Sequence, residues 1–147
     1  MIRFANAEDV PLIHRFIKGI AGYEKLSHTV ETTEEKLKGT LFGDKKFAEV
    51  LLAFEENTPV GFALFFTNYS TFRAKPGFYL EDLFVEPEHR GKGFGKALLG
   101  EVIDIAKKRN YGRVEWSVLD WNTPAIDFYK SMGAAPLDEW TVFRITI

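Results

Sequence analysis

The sequence contains no cysteine. Disulfides, a thiolate nucleophile and cysteine-ligated metal sites are excluded on chemical grounds, and a cytoplasmic setting fits that lack. Neither sign of charge dominates: 19 Lys and Arg face 21 Asp and Glu, for a formal net charge of −2. That balance leaves no electrostatic footprint for nucleic acid or an anionic membrane, and neither is expected as a partner. Apolar runs are short, so neither a signal peptide nor a membrane span is expected. His14, His28 and His89 are scattered without ligand spacing, so no metal is expected. A Gly-x-Ser-x-Gly nucleophile elbow is absent as well. What is plentiful is core material. Of 147 residues 46% are hydrophobic and 14 are Phe, which suits one domain over residues 1–147 and is too little chain for two of ordinary size.

A short strand is expected at Ile2–Phe4. Asn6 or Asp9 then caps a helix with Val10, Ile13, Ile17 and Ile20 on one face and Pro11 in its first turn. A second helix is expected from Thr32 or Thr33 to about Phe42, ended by Gly43-Asp44. Phe47–Glu55 and Val60–Thr67 read as hairpin strands around Glu56-Asn57-Thr58-Pro59. Residues 68–77 read as a loop and Phe78–Val85 as a strand ended by Pro87. A long helix over 93–108, a strand over 113–119, a short helix over 123–132 and a closing strand over 140–147 complete the order. The class is α/β in the α+β sense: a mixed, mostly antiparallel sheet of about six to seven strands flanked by about four helices.

The stretch Arg90-Gly91-Lys92-Gly93-Phe94-Gly95-Lys96 follows a strand and opens the long helix. Glycines there let main-chain amides approach a ligand, and the positive end of the helix dipole suits an anion such as a pyrophosphate. Arg90, Lys92 and Lys96 add positive charge at the same place. Spacing excludes two readings. A P-loop needs four residues between its first Gly and Gly-Lys-Ser/Thr, and a dinucleotide fingerprint needs Gly at its sixth position, where this chain has Lys96 counted from Gly91 and Leu98 counted from Gly93. What remains is Arg-x-x-Gly-x-Gly, carried by Arg90, Gly93 and Gly95.

That pattern resembles the coenzyme A pyrophosphate signature of the Gcn5-related N-acetyltransferases (GNAT superfamily). A second stretch, Asp120-Trp121-Asn122-Thr123-Pro124 through Phe128-Tyr129 to Gly133-Ala134, resembles that family's later motif. Within the family, Tyr23-Glu24 and Tyr79-Leu80-Glu81-Asp82-Leu83-Phe84-Val85 resemble the diamine and thialysine acetyltransferases. Tyr69–Phe72 and Val118–Asn122 are closer to the thialysine branch, and no acidic residue stands near Ser70 as in polyamine acetyltransferases. The resemblance implies an acetyl-coenzyme A-dependent N-acetyltransferase, a small-molecule primary amine as acceptor and a homodimer. It also implies that main-chain groups of Leu83, Phe84 and Val85 bind the pantetheine arm and polarise the acetyl carbonyl. Residues from Arg90 and Gly91 through Lys92, Gly93, Phe94 and Gly95 to Lys96 would cradle the pyrophosphate. Asn122, Pro124 and Tyr129 would complete the coenzyme site.

An amine attacks a thioester only when neutral, and an ammonium of pKa about 10.4 is about 0.1% neutral near pH 7.4. Making that form dominant takes roughly 4 kcal/mol, within reach of a carboxylate and partial desolvation. Glu81, matching the subgroup's Glu, is the candidate base, acting directly or through a water. Strand alternation sends Asp82 to the other face, and the bland alternative for the pair is two solvated or ion-paired carboxylates. Tyr129 is the candidate acid for the departing thiolate, against its default as a core tyrosine. Tyr23, Glu24, Glu81 and Asp82 are the candidate amine pocket, with Ser70, Phe72 and Trp121 as secondary candidates. A non-catalytic acyl-coenzyme A-binding module and a protein N-acetyltransferase are the competing readings.

Overall fold

Asn6 and Asp9 organise the start of the chain. Asn6 Oδ1 accepts the Glu8 amide at 2.9 Å, and Asp9 accepts the Asn6 amide at 2.8 Å. Asp9 also takes two hydrogen bonds from the Arg3 guanidinium, at 2.7 and 2.9 Å. In the computed structural model, which describes all 147 residues, this reciprocal cap leads into helix α1, Val10–Tyr23, with Pro11 in the first turn where an amide would have no partner. The chain divides into two compact units, Met1–Ser117 and Val118–Ile147. No helix is long and apolar enough to cross a membrane.

The first unit is built on a five-stranded sheet in the order β1 (Ile2–Phe4), β2 (Glu49–Glu55), β3 (Thr58–Ser70), β4 (Lys75–Val85), β5 (Val114–Glu115). The pairs from β1 to β4 are antiparallel, and β5 joins β4 in parallel. Helix α2, Glu34–Leu41, is capped by Thr33, whose hydroxyl accepts the Lys36 amide at 3.2 Å. Helix α3, Phe94–Lys108, buries Leu98, Leu99, Val102, Ile105 and Ala106 and connects β4 to β5. This is the mixed, mostly antiparallel sheet with flanking helices that the sequence implies.

Phenylalanines hold the first unit together. Phe16 of α1 stacks on Phe62 of β3 at 5.5 Å between centroids, and Phe65 meets Phe78 edge-on at 4.7 Å. All four are fully buried. Gly61 fixes how closely β3 can approach β4: a Cβ there would lie 2.4 Å from the Phe84 carbonyl oxygen. That oxygen is backbone and cannot swing away, so Gly61→Ala should destabilise the protein by about 1–3 kcal/mol, read as a lower urea midpoint at unchanged slope.

Three elements differ from the sequence expectation. The expected loop over 68–77 is mostly strand, because the ladder continues through Asn68↔Gly77 and Ser70↔Lys75 and leaves only a tight turn with Ala74 at φ 49. Pairing with a neighbour here overrides a composition rich in turn formers. The expected strand over 113–119 shrinks to Val114–Glu115, the only residues that find a partner, Phe78 and Tyr79, on β4. The expected closing strand over 140–147 is absent, which leaves five strands. Those residues carry no regular structure, and Trp140, Val142, Phe143, Ile145 and Ile147 are exposed. A strand needs the backbone groups of a neighbour, and apolar β-prone residues do not supply them.

The second unit contains helix α4, Thr123–Ser131. Asn122 Oδ1 accepts the Ala125 amide at 3.4 Å, and Pro124 sits in the first turn. Past the helix, Gly133 takes φ 89, the amide of Gly133 reaches Lys130 O at 3.0 Å and that of Ala134 reaches Tyr129 O at 3.1 Å. The Gly-Ala of the motif is therefore a helix stop in left-handed geometry, which only glycine enters without strain.

Candidate active site

Strand β4 carries the site in the first unit. Opposite Leu64 and Phe65 of β3 stand Asp82 and Leu80, so Glu81 is an extra residue in β4, a β-bulge. The bulge interrupts at this point the simple alternation on which the expected separation of Glu81 from Asp82 relies. The Asp82 carboxyl feels the charges of both Glu81 and Glu24, and Glu24 feels that of Glu81. Two neighbours in sequence and one residue from the end of α1 form a single acidic group.

Its electrostatics follow from position. Glu24 closes the C-terminal end of α1, where the helix dipole is negative and the last turn has no basic residue to offset it. Burial, and then the Glu81 charge, push its carboxyl up. Asp82 is buried more deeply, and burial, followed by Glu81 and Glu24, pushes its carboxyl from 3.8 up to about 7. A group that binds its proton more tightly when folded stabilises the fold at low pH and loses that contribution as pH rises to its folded pKa. Stability should therefore fall between about pH 4 and pH 7, and Asp82→Asn should flatten the fall, as followed by urea midpoints across about pH 4–8. An entering ammonium would relieve the same burden by pairing with the ionised form.

Beyond Tyr79 the first unit supplies no strand to the outer edge of β4, so the main chain of Leu83 and the amide of Val85 face outward there without a neighbouring ladder, whereas the Phe84 carbonyl, expected to join them, faces Gly61 of β3. Backbone groups in that condition call for a partner. Phe84 itself is buried, in contact with the Phe16 ring at 6.1 Å.

The glycine-rich turn has the bareness its composition implies. Gly91 and Gly93 adopt φ 77 and 90, and a Cβ on either would meet nothing within 4 Å. Gly93 caps α3 without a side chain to satisfy the helix amides. The turn is thus an uncapped helix N-terminus with open backbone in front of it, the arrangement that receives a phosphate oxygen.

The three cations that add positive charge at this place are disposed differently from one another. Arg90 turns back: its Nε donates to Val85 O at 2.8 Å and its guanidinium carbon lies 5.0 Å from the Tyr23 ring centroid and 5.6 Å from that of Phe84. One face of Tyr23 is therefore covered by Arg90. Lys92 Nζ donates to Glu55 at 2.9 and 3.1 Å, and Lys96 alone of the three is exposed without an ion pair, a hydrogen bond or a ring contact. Glu55 is a residue that sequence reading missed. It lies 37 positions from Lys92, and no local signal marks it.

Of the secondary candidates in the first unit, Ser70 and Phe72 do not join the acidic group. Ser70 is buried at the β3–β4 hairpin tip, where its hydroxyl accepts the Arg73 amide at 3.3 Å, and Phe72 is fully exposed there. From Lys75, opposite Ser70, to Glu81 is about 20 Å along the strand. In the second unit, Asn122 is buried and caps α4, Trp121 is half-exposed, and Tyr129 is half-buried with its ring 5.5 Å from that of Phe128. No group of three or more His, Asp or Glu side chains is disposed to hold a metal ion.

The Acetyltransferase (GNAT) family profile matches residues 19–134, across both units. The chain is 37% identical to an L-ornithine N5-acetyltransferase of Arabidopsis thaliana over 99% of its own length and 83% of that protein. It is 38% identical to a thialysine N-epsilon-acetyltransferase of Bos taurus over 98% of its length and 91% of the relative's. Among solved structures, an integron cassette protein from the mobile metagenome of V. cholerae superposes with a TM-score of 0.82 at 26% identity, covering 99% of this chain and 91% of the other.

Proposed function

Because the chain belongs to the GNAT acetyltransferase family, and so draws its acetyl group from acetyl-coenzyme A, we propose that it acetylates the terminal amine of a small basic amino acid of the ornithine or thialysine kind. The observation that carries this reading is the acidic group formed by Glu24 at the end of α1 with Glu81 and Asp82 on the strand that feeds the glycine-rich turn. Carboxylates at the negative end of α1 select an ammonium and oppose an anionic acceptor. The hairpin tip near Ser70 has no acid to grip the far end of a polyamine.

The open amides ahead of α3 hold the pyrophosphate, with Lys96 as the available cation. The outer edge of β4 at Leu83 and Val85 hydrogen-bonds the pantetheine arm and polarises the acetyl carbonyl. Glu81 takes one proton from the ammonium, directly or through a water, leaving a lone pair on nitrogen. That pair attacks the acetyl carbon, and collapse breaks the carbon–sulfur bond. Tyr129 gives its phenolic proton to the departing thiolate and is reprotonated as the amide nitrogen loses its surplus proton. The acetyl group passes in one step within a ternary complex, and no cysteine is available to carry it. A single domain over residues 1–147, assembled as a homodimer in the cytoplasm, completes the proposal.

The test is coenzyme A release from acetyl-coenzyme A with L-ornithine, thialysine, L-lysine, putrescine and spermidine. A kcat/KM at least about tenfold higher for one of the basic amino acids than for either polycation supports the reading. Preference for putrescine or spermidine moves the acceptor to the diamines and polyamines.

A further inference from the structure

We propose that Glu55 is a positioning residue for the coenzyme: from the end of β2 it pins the glycine-rich turn in its anion-receiving shape through His89 and Lys92. The inference rests on the reading that this turn holds the pyrophosphate. Glu55 accepts from His89 Nδ1 at 2.7 Å and from Lys92 Nζ at 2.9 and 3.1 Å. These two donors bracket Arg90 and Gly91. The beginning of the same segment is anchored separately, where Glu86 pairs with Arg15 of α1 at 3.3 Å and its amide donates to Val60 O at 2.8 Å.

Glycines at φ 77 and 90 make a turn that can open to an anion and has little stiffness of its own. Its shape must come from what ties it down, and on the side of Lys92 that is Glu55 alone. Lys92 and His89 in turn hold the Glu55 carboxyl below the usual carboxylate range, so it remains an acceptor across the neutral range.

The charge of Glu55 makes the inference testable by sign. A carboxylate beside a pyrophosphate site repels the ligand, so a Glu55 without a positioning role would weaken coenzyme binding, and its removal would tighten it while freeing Lys92. Positioning predicts the reverse. The glutamine variant keeps the size of the side chain and loses both charged contacts.

The experiment measures dissociation constants of coenzyme A and of pantetheine, which lacks the pyrophosphate, for the parent and Glu55→Gln, with steady-state kinetics beside them. The parent should bind coenzyme A more tightly than pantetheine. Glu55→Gln should raise the coenzyme A dissociation constant and the KM for acetyl-coenzyme A about three- to tenfold, leaving kcat and pantetheine binding unchanged. His89→Gln removes one of the two partners and should shift coenzyme A binding in the same direction by less, which also covers a Glu55→Gln protein that does not fold. Unchanged or tighter coenzyme A binding in either variant overturns the role of Glu55. A parent that binds both ligands equally overturns the pyrophosphate reading of the turn instead.

Discussion

Glu81→Gln should lower kcat/KM for the acceptor by about 10²–10⁴-fold at neutral pH and leave coenzyme A affinity intact. The size follows from the amine. Without a base only the fraction already neutral can attack, and for an amine of pKa about 10.4 that fraction rises tenfold per pH unit up to its pKa. The variant should accordingly gain activity with a slope near one in log kcat/KM from about pH 7 to 9.5, while the parent levels off earlier. Glu81 is exposed on the bulge of β4, and its charge burdens Asp82 and Glu24, so the loss of activity should come without a fall in unfolding midpoint. If Glu81→Gln keeps more than half the parent activity, the base is another group. Asp82, whose carboxyl burial pushes up to about 7, is then the one to substitute.

Tyr129→Phe should reduce kcat by about 10²–10³-fold with both KM values within about threefold of the parent, the signature of a group used only as the carbon–sulfur bond breaks. Phenylalanine preserves the ring that packs 5.5 Å from Phe128, so α4 should remain formed and the helical circular dichroism unchanged. The contrast with Glu81→Gln lies in pH. Raising pH restores the glutamine variant by deprotonating the amine and does nothing for the phenylalanine variant, whose missing part is a proton donor. A Tyr129→Phe protein with parent kcat would leave the thiolate to pick up its proton from water.

How much of this was legible in the sequence depends on how far apart in the chain the cause and its effect lie. The glycine-rich turn could be read directly, because Gly91 and Gly93 are the residues that enter positive φ freely and Phe94 onward keeps a helical period. So could a cap at Asn6 or Asp9, another at Thr32 or Thr33, and α1, of whose expected face Val10 and Ile13 are buried while Phe16 takes the place foreseen for Ile17. The bulge at Glu81 could not, since an extra residue in one strand is defined only against the register of its partner. The extension of β3 and β4 through residues 68–77 was hidden for the same reason, and Glu55 acts on residues 34 and 37 positions away. Trp140–Ile147 errs in the opposite direction: its β-prone residues advertise a strand that no neighbour in the second unit completes.

Phe84 links features that look separate along the chain. Its ring fills the space that a Cβ on Gly19 would need, at 2.7 Å, touches Phe16, and lies under the same Arg90 guanidinium that covers Tyr23. The helix bearing Glu24 and the strand leading to the glycine-rich turn are thus clamped on one aromatic hub. An engineer who reshapes the acceptor side, for instance by enlarging Gly19 or trimming Tyr23 to admit a bulkier amine, would move the donor side with it, so new acceptor specificity and retained coenzyme affinity would have to be selected together.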